Sequence, residues 1–247
     1  MNQYEIFHQL HHRPRPFVLA NVWNAKSAKI AEANGFEAIG TSSGAIAESL
    51  GYADGEKIPF AELLYMIQRI KTSINIPLSV DMERGYTNDL EQLNENIQQL
   101  LDIGVAGINI EDAQGEDIYL TKLYSIKDYL TRTNQQLFIN ARTDGFLQKL
   151  DSPLELTLKR ARLYEDAGAD GLFVTGLQDT ETIKTIASGT LLPINVVSIP
   201  KFSSVGMLEE CGVKRISMAV FFYKAAYNHL DSIAKTITTE QSFLSLY

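Results

Sequence analysis

Eight short apolar runs rich in β-branched and aromatic residues recur along the chain, at residues 17–23, 37–43, 77–83, 107–113, 137–144, 171–176, 193–198 and 215–220. Most are apolar on both faces, the pattern of buried parallel strands rather than of half-exposed antiparallel ones. Longer stretches between them carry apolar positions at helical spacing. Pro59 opens one such stretch, Asp89 precedes a second, and Ser152-Pro153 precede a third, each a residue type suited to a helix start. Gly104, Gly168 and Gly212 close three of them. The phrases DIGVAGINI, DAGADGLFV and ECGVKRISM repeat the same device, a helix-ending glycine a few residues ahead of an apolar strand. Eight strand-helix units in 247 residues predict a single-domain (β/α)8 TIM barrel over residues 1–247, with an open doubly wound sheet as the structural alternative.

Composition narrows the partners. The formal net charge is -8, and no basic run offers a surface to nucleic acid or to an anionic membrane. No signal peptide opens the chain and no apolar stretch approaches membrane-spanning length, so a soluble, cytoplasmic protein is expected. The single cysteine, Cys211, precludes an internal disulfide and any zinc cluster of thiolates. The histidines, at 8, 11, 12 and 229, all lie away from predicted strand ends, which argues against a histidine base or a Ser-His-Asp triad.

In a parallel barrel the chemistry gathers where strands end, so polar residues there carry weight. Asp81 and Glu83 stand two apart in PLSVDMERGY, a spacing that on an extended run points both carboxylates to one face. Glu111 and Asp112 end the next strand. Such carboxylates suit Mg²⁺ or Mn²⁺, or else form an acidic loop surface. Arg142, in NARTDGF, can fork onto a substrate carboxylate or pair with Asp144 or Glu111. Asn195 lies inside an apolar strand and either orients a ligand oxygen or satisfies a backbone group. Ser43, Gly44 and Ala45 can offer backbone N–H groups to an anion, and Asp54 in the following loop either supports a metal or makes a turn.

The segments WNAKSA, SGA, LGYAD, DMERG, IED, ARTD and PIN occur in the order characteristic of the isocitrate lyase/phosphoenolpyruvate mutase superfamily, and the chain resembles it from about residue 17 to 226. The resemblance implies that Asp81, Glu83 and Glu111 hold Mg²⁺ largely through water, with Asp54 near the metal. It implies that Ser43, Gly44, Ala45, Arg142 and Asn195 bind the substrate and that Trp23 lines the pocket. It further implies a homo-oligomer, a dimer or a tetramer that exchanges its last helix between subunits.

Two departures shape the functional expectation. The lyases of this superfamily carry a Lys-Lys/Arg-Cys-Gly-His acid motif after the strand-four glutamate, whereas this chain reads EDAQGEDIYLTK, with Lys122 as the nearest cation. Asn24 also replaces an aspartate beside the first strand. The expected activity is therefore a Mg²⁺-dependent lyase or decarboxylase acting on a small 2-oxo or dicarboxylic acid through a pyruvate-like enolate, with Asp54, Glu111 and Arg142 as catalytic candidates. An oxaloacetate-type substrate is favoured, because loss of CO2 needs no acid to protonate a carbon leaving group. The alternatives are phosphonopyruvate mutase or hydrolase chemistry and a non-catalytic metabolite-binding protein.

Overall fold

The computed structural model describes every residue except 203, and the eight apolar runs form its eight strands. In order the chain builds α1 (Gln3–His12), β1 (Phe17–Val22), α2 (Ala25–Ala33), β2 (Ile39–Thr41), α3 (Ser43–Ser49), α4 (Phe60–Lys71), β3 (Leu78–Asp81), α5 (Leu90–Ile103) and β4 (Gly107–Glu111). It continues with α6 (Glu116–Thr133), β5 (Phe138–Thr143), α7 (Pro153–Asp166), β6 (Gly171–Val174), α8 (Thr180–Ser188), β7 (Ile194–Val197), α9 (Val205–Glu209), β8 (Arg215–Ser217) and α10 (Phe221–Glu240). All neighbouring strands are parallel, and β8 returns to pair with β1 through the Phe17–Arg215, Val18–Ile216 and Leu19–Ser217 register. That closure excludes the doubly wound alternative. Among the described residues no helix is long and apolar enough to cross a membrane.

Local chemistry explains the boundaries. Asp89 caps α5 by accepting from the amides of Glu91 and Gln92, and Gly104 ends it in the left-handed conformation. Pro59 stands just outside α4 as its N-cap residue rather than as its first helical residue. Asn24 caps α2 reciprocally with Ser27, which gives the residue that replaces the aspartate a structural task. Cys211 is buried after α9 and donates to the Met207 carbonyl, as a structural thiol would.

The amino-terminal end of the barrel is plugged by α1. His11 is fully buried, stacks on Phe138 with 3.9 Å between ring centroids, and meets Phe7 and Phe17 edge-on. Burial, reinforced by the Arg215 charge, pushes the His11 pKa well below its ordinary value, so the plug is a neutral ring. Strand glycines make room for the packing: a methyl group on Gly107 would lie 2.8 Å from the Phe7 ring and 2.9 Å from the Phe138 carbonyl oxygen. Gly107→Ala is therefore expected to destabilise by about 1–3 kcal/mol. In α9, Gly206 has nothing within 4 Å of that position, and Gly206→Ala is expected to be neutral or to stabilise by up to about 1 kcal/mol. Denaturant unfolding of both variants checks the contrast.

Candidate active site

A cavity of about 610 Å³ opens at the carboxyl ends of the strands, opposite the α1 plug. Its floor is polar, formed by Ser43, Gly44, Asp54, Asp81, Asn109 and Arg142. Its wall is largely apolar, with Leu147, Phe173, Leu177, Val197, Ile199 and Val220. Five of the residues singled out in the sequence, from four different segments, thus meet on one surface: Ser43, Gly44, Asp54, Asp81 and Arg142.

The small-residue segment is the first turn of α3. Ser42 caps that turn by accepting from the Ala45 amide at 3.4 Å, so the amides of Ser43 and Gly44 are the ones left toward the cavity, while Ala45 is fully buried. Asp54 folds back over this turn: a methyl group on Gly44 would lie 2.9 Å from its Oδ2. Ser43 Oγ donates to Asp81 Oδ2 at 2.9 Å and ties the turn to the end of β3.

The extended run expected through Asp81 and Glu83 stops at Asp81. Glu83 has φ 46°, followed by Gly85 at 100° and Tyr86 at 63°. This contorted turn is held from two sides. Glu56 accepts from the amides of Arg84 and Tyr86, and the Glu83 carbonyl accepts from the Glu111 amide at 2.7 Å. Non-glycine residues hold such conformations only where their surroundings impose them. Glu83 is consequently buried, its Oε1 accepting from Tyr86 Oη at 3.0 Å.

Arg142 adopts both pairings anticipated for it. Its Nε and Nη2 fork onto Asp144 at 2.7 and 2.9 Å, and its Nη1 meets Glu111 Oε2 at 2.8 Å. Burial raises the pKa of Asp81, with Arg142 and Ser43 opposing the rise. Burial, followed by the Asp81 charge, pushes Glu83 up to about 7. Burial also pushes Glu111 up to about 7, with Arg142 pulling down and Asp81 pushing up. These carboxylates oppose one another's ionisation, as acidic groups gathered in one buried site do. Among the described residues, however, no three carboxylate, imidazole or thiol groups stand close enough to coordinate one ion directly. The arrangement fits a hydrated divalent ion held by one or two direct carboxylates and reached by the others through water.

The remaining candidates lie off the cavity. Asn195 is fully buried beneath the floor, donating to the Arg215 carbonyl and to Ser217 Oγ. Trp23 packs against Phe222, Tyr223 and Tyr227 in a separate groove between α2 and α10. Asp112 is a packing residue: it pairs with Arg160 at 2.8 Å and accepts from Tyr164 Oη and the Asp144 amide, all buried. Lys122 is spent on the Arg84 carbonyl and Gln114. The link from β4 to α6 is only four residues long, 112–115. Sequence reasoning passed over Asn21 and Asn109, which also line the cavity. The signal that marked Asn195, an amide inside an apolar strand, was available for both.

The family model for phosphoenolpyruvate phosphomutase matches residues 7–238. An oxaloacetate decarboxylase of Bradyrhizobium sp. (strain ORS 278) is 31% identical, over 90% of this chain and 81% of its own. An uncharacterised protein of Mycobacterium tuberculosis (strain ATCC 25618 / H37Rv) is 33% identical, over 94% of this chain and 88% of its own. A crystal structure from Burkholderia cenocepacia J2315, provisionally called a phosphonomutase, superposes with a TM-score of 0.89 at 35% identity, covering 94% of this chain and 99% of that one.

The geometry separates neighbouring acids by role. Asp112→Ala leaves Arg160 buried without its partner and is expected to destabilise by about 3–5 kcal/mol. Asp81→Ala removes a carboxylate that burial already disfavours, and its unfolding midpoint at pH 8 is expected to match or exceed that of the parent protein without added metal. Thermal melts of the two variants test this.

Proposed function

The chain belongs to the phosphoenolpyruvate phosphomutase family, and from that membership we propose a divalent-metal-dependent lyase that breaks a carbon–carbon bond of a small 2-oxo dicarboxylic acid, with loss of CO2 from an oxaloacetate-type substrate as the favoured reaction. The observation that carries the reading is the convergence of Asp81 and Arg142 on one cavity floor beside a four-residue β4–α6 link that holds no lysine, histidine or cysteine. Asp81, Glu83 and Glu111 would hold Mg²⁺, with Mn²⁺ as a substitute, and the ion supplies Lewis-acid stabilisation of charge developing on the keto oxygen.

The chain's own residues do the rest. The amides of Ser43 and Gly44 offer donors to one carboxylate, backed by the buried Ala45 and tightened by Asp54. Arg142 keeps its fork on Asp144 and exchanges the Nη1 contact with Glu111 for a substrate oxygen, which releases Glu111 as a ligand. Asn195 supports the floor from below, and Trp23 buttresses the outer wall where α10 leaves the barrel. Cleavage of the C3–carboxylate bond leaves CO2 and an enolate, and a proton taken up at C3 completes pyruvate. A cavity wall of Phe173, Leu177 and Ile199 solvates a charged carboxylate poorly and neutral CO2 well, which favours that direction. The short link matters here, because protonating an enolate requires only water whereas expelling a carbanion partner requires a placed acid.

A second reading, cleavage or rearrangement of a phosphorus–carbon bond in phosphonopyruvate, is favoured by the 35% identity to the Burkholderia protein. Assembly belongs to the same proposal. Tyr227, Leu230, Phe243, Leu244 and Leu246 are exposed on α10 and beyond it, a surface that a second copy would cover. Light scattering is expected to report a dimer or a tetramer.

With Mg²⁺, the protein is expected to release pyruvate from oxaloacetate faster than the metal alone, and Arg142→Met to lower kcat by about 10²–10³. Release of phosphate or an isomer from phosphonopyruvate, with oxaloacetate untouched, selects the second reading instead. Metal binding has its own signature. Because Glu83 and Glu111 have raised pKa values, their contribution to metal-free stability is complete below the ordinary carboxylate range and is lost as pH rises through about 7. Mg²⁺ binds the ionised forms, so the increase in Tm on adding Mg²⁺ is expected to be small at pH 5.5 and larger at pH 8, and to shrink in Glu111→Gln.

A further inference from the structure

From the cavity floor downward the barrel holds a chain of buried amides. Asn195 on β7, Asn140 on β5 and Asn109 on β4 are each at most 5% exposed. Beside them Arg215, on β8, is 1% exposed, and among the described residues it forms no ion pair; its Nη2 donates to Asn109 Oδ1 at 3.2 Å, while its Nε and Nη1 have no partner. Burial pushes that guanidinium down to about 9, with Asp81 the charge that opposes the fall.

The donors in this network fix which way each amide faces. Asn195 Nδ2 donates to the Arg215 carbonyl, which can only accept, so its Oδ1 must face Asn140. Asn140 Nδ2 then donates to Asn195 Oδ1 at 3.1 Å and to Asn109 Oδ1 at 2.9 Å. The guanidinium, which can only donate, meets the same Asn109 oxygen. Two independent donors therefore hold Asn109 Oδ1 downward, and the opposite end of the amide is its NH2 group. That group has no acceptor among the described residues, although Asn109 lines the cavity and is the register partner of Asp81 on the adjacent strand.

From this geometry we infer that Asn109 is a further substrate-contacting residue, its Nδ2–H group donating to an anionic oxygen of the bound 2-oxo acid, with Arg215, Asn140 and Asn195 as the residues that position it. The assignment rests on the carboxylate-binding reading of the same site. It gives the buried cation a purpose: a guanidinium cannot accept, so it forbids the amide flip that would turn an acceptor toward the ligand. It also gives Asn195 a role at one remove from substrate.

The test is calorimetric titration of oxalate, a dianion shaped like the enolate of pyruvate, into protein at saturating Mg²⁺, together with titration of Mg²⁺ alone. Asn109→Asp keeps the shape, removes the donor and offers Arg215 a counter-ion; Asn109→Ala removes the side chain. A hydrogen bond to a charged ligand corresponds to about a ten- to hundredfold change in affinity. Both variants are expected to lose oxalate affinity by at least that lower figure, while Asn109→Ala binds Mg²⁺ within about twofold of the parent. Either variant binding oxalate as the parent does overturns the assignment alone. So does a parallel loss of Mg²⁺ and oxalate in Asn109→Ala, which would mean that the residue acts only by supporting Asp81. Failure of the unmodified protein to bind oxalate overturns the assignment together with the reading beneath it.

Discussion

Mutual repulsion among Asp81, Glu83 and Glu111 is the constraint around which the mouth of this barrel is organised. Buried carboxylates in one another's fields are stable only when protonated or compensated. The protein supplies partial compensation, through Arg142 on Glu111 and Ser43 on Asp81, and leaves the remainder unmet. Under the proposed function a divalent cation would relieve what remains, and an anionic substrate would find both that ion and the Arg142 guanidinium in reach. The contorted turn from Glu83 to Tyr86 belongs to the same arrangement. It buries the Glu83 carboxylate against Tyr86 and is clamped by Glu56 and by β4.

Around that centre, charges of the same chemical type are divided between scaffold and site. Asp112 and Asp144 each neutralise an arginine and hold the β4 and β5 ends in place. Asp54 and Asp81 face the cavity instead. The arginines divide likewise. Arg160 locks α7 to the barrel through Asp112, Arg142 lines the cavity while braced by Asp144, and Arg215 donates to the Asn109 amide oxygen. Small residues permit this density of polar groups: Gly171 leaves space for the Asn140 side chain and Gly44 for the Asp54 carboxylate.

The sequence disclosed the fold well because barrel strands are buried on both faces and each must read as an apolar run, and the helix-ending glycines marked the register of the units. It also marked Asp81, Arg142, Ser43, Gly44 and Asp54 as candidates, and all five meet on one cavity. What it could not disclose was which way each polar side chain turns. Glu111 and Asp112 are adjacent and chemically alike, yet the alternation of β4 directs one to the barrel mouth and the other to Arg160 and Tyr164. Glu83 departs from the extended geometry because of contacts made by Glu56 and β4, distant in sequence. Asn109 and Asn195 look equivalent as amides in apolar strands, yet Asn109 lines the cavity whereas Asn195 lies beneath it, held by the Arg215 carbonyl and Ser217.

An anomalous-scattering map from crystals grown with Mn²⁺ and oxalate tests the proposed metal and carboxylate site at the end of β3. One Mn²⁺ peak is expected beside Asp81 at the cavity floor, with oxalate between that ion and the amides of Ser43 and Gly44. A floor without metal, or metal and oxalate bound away from Asp81 and Arg142, would contradict it.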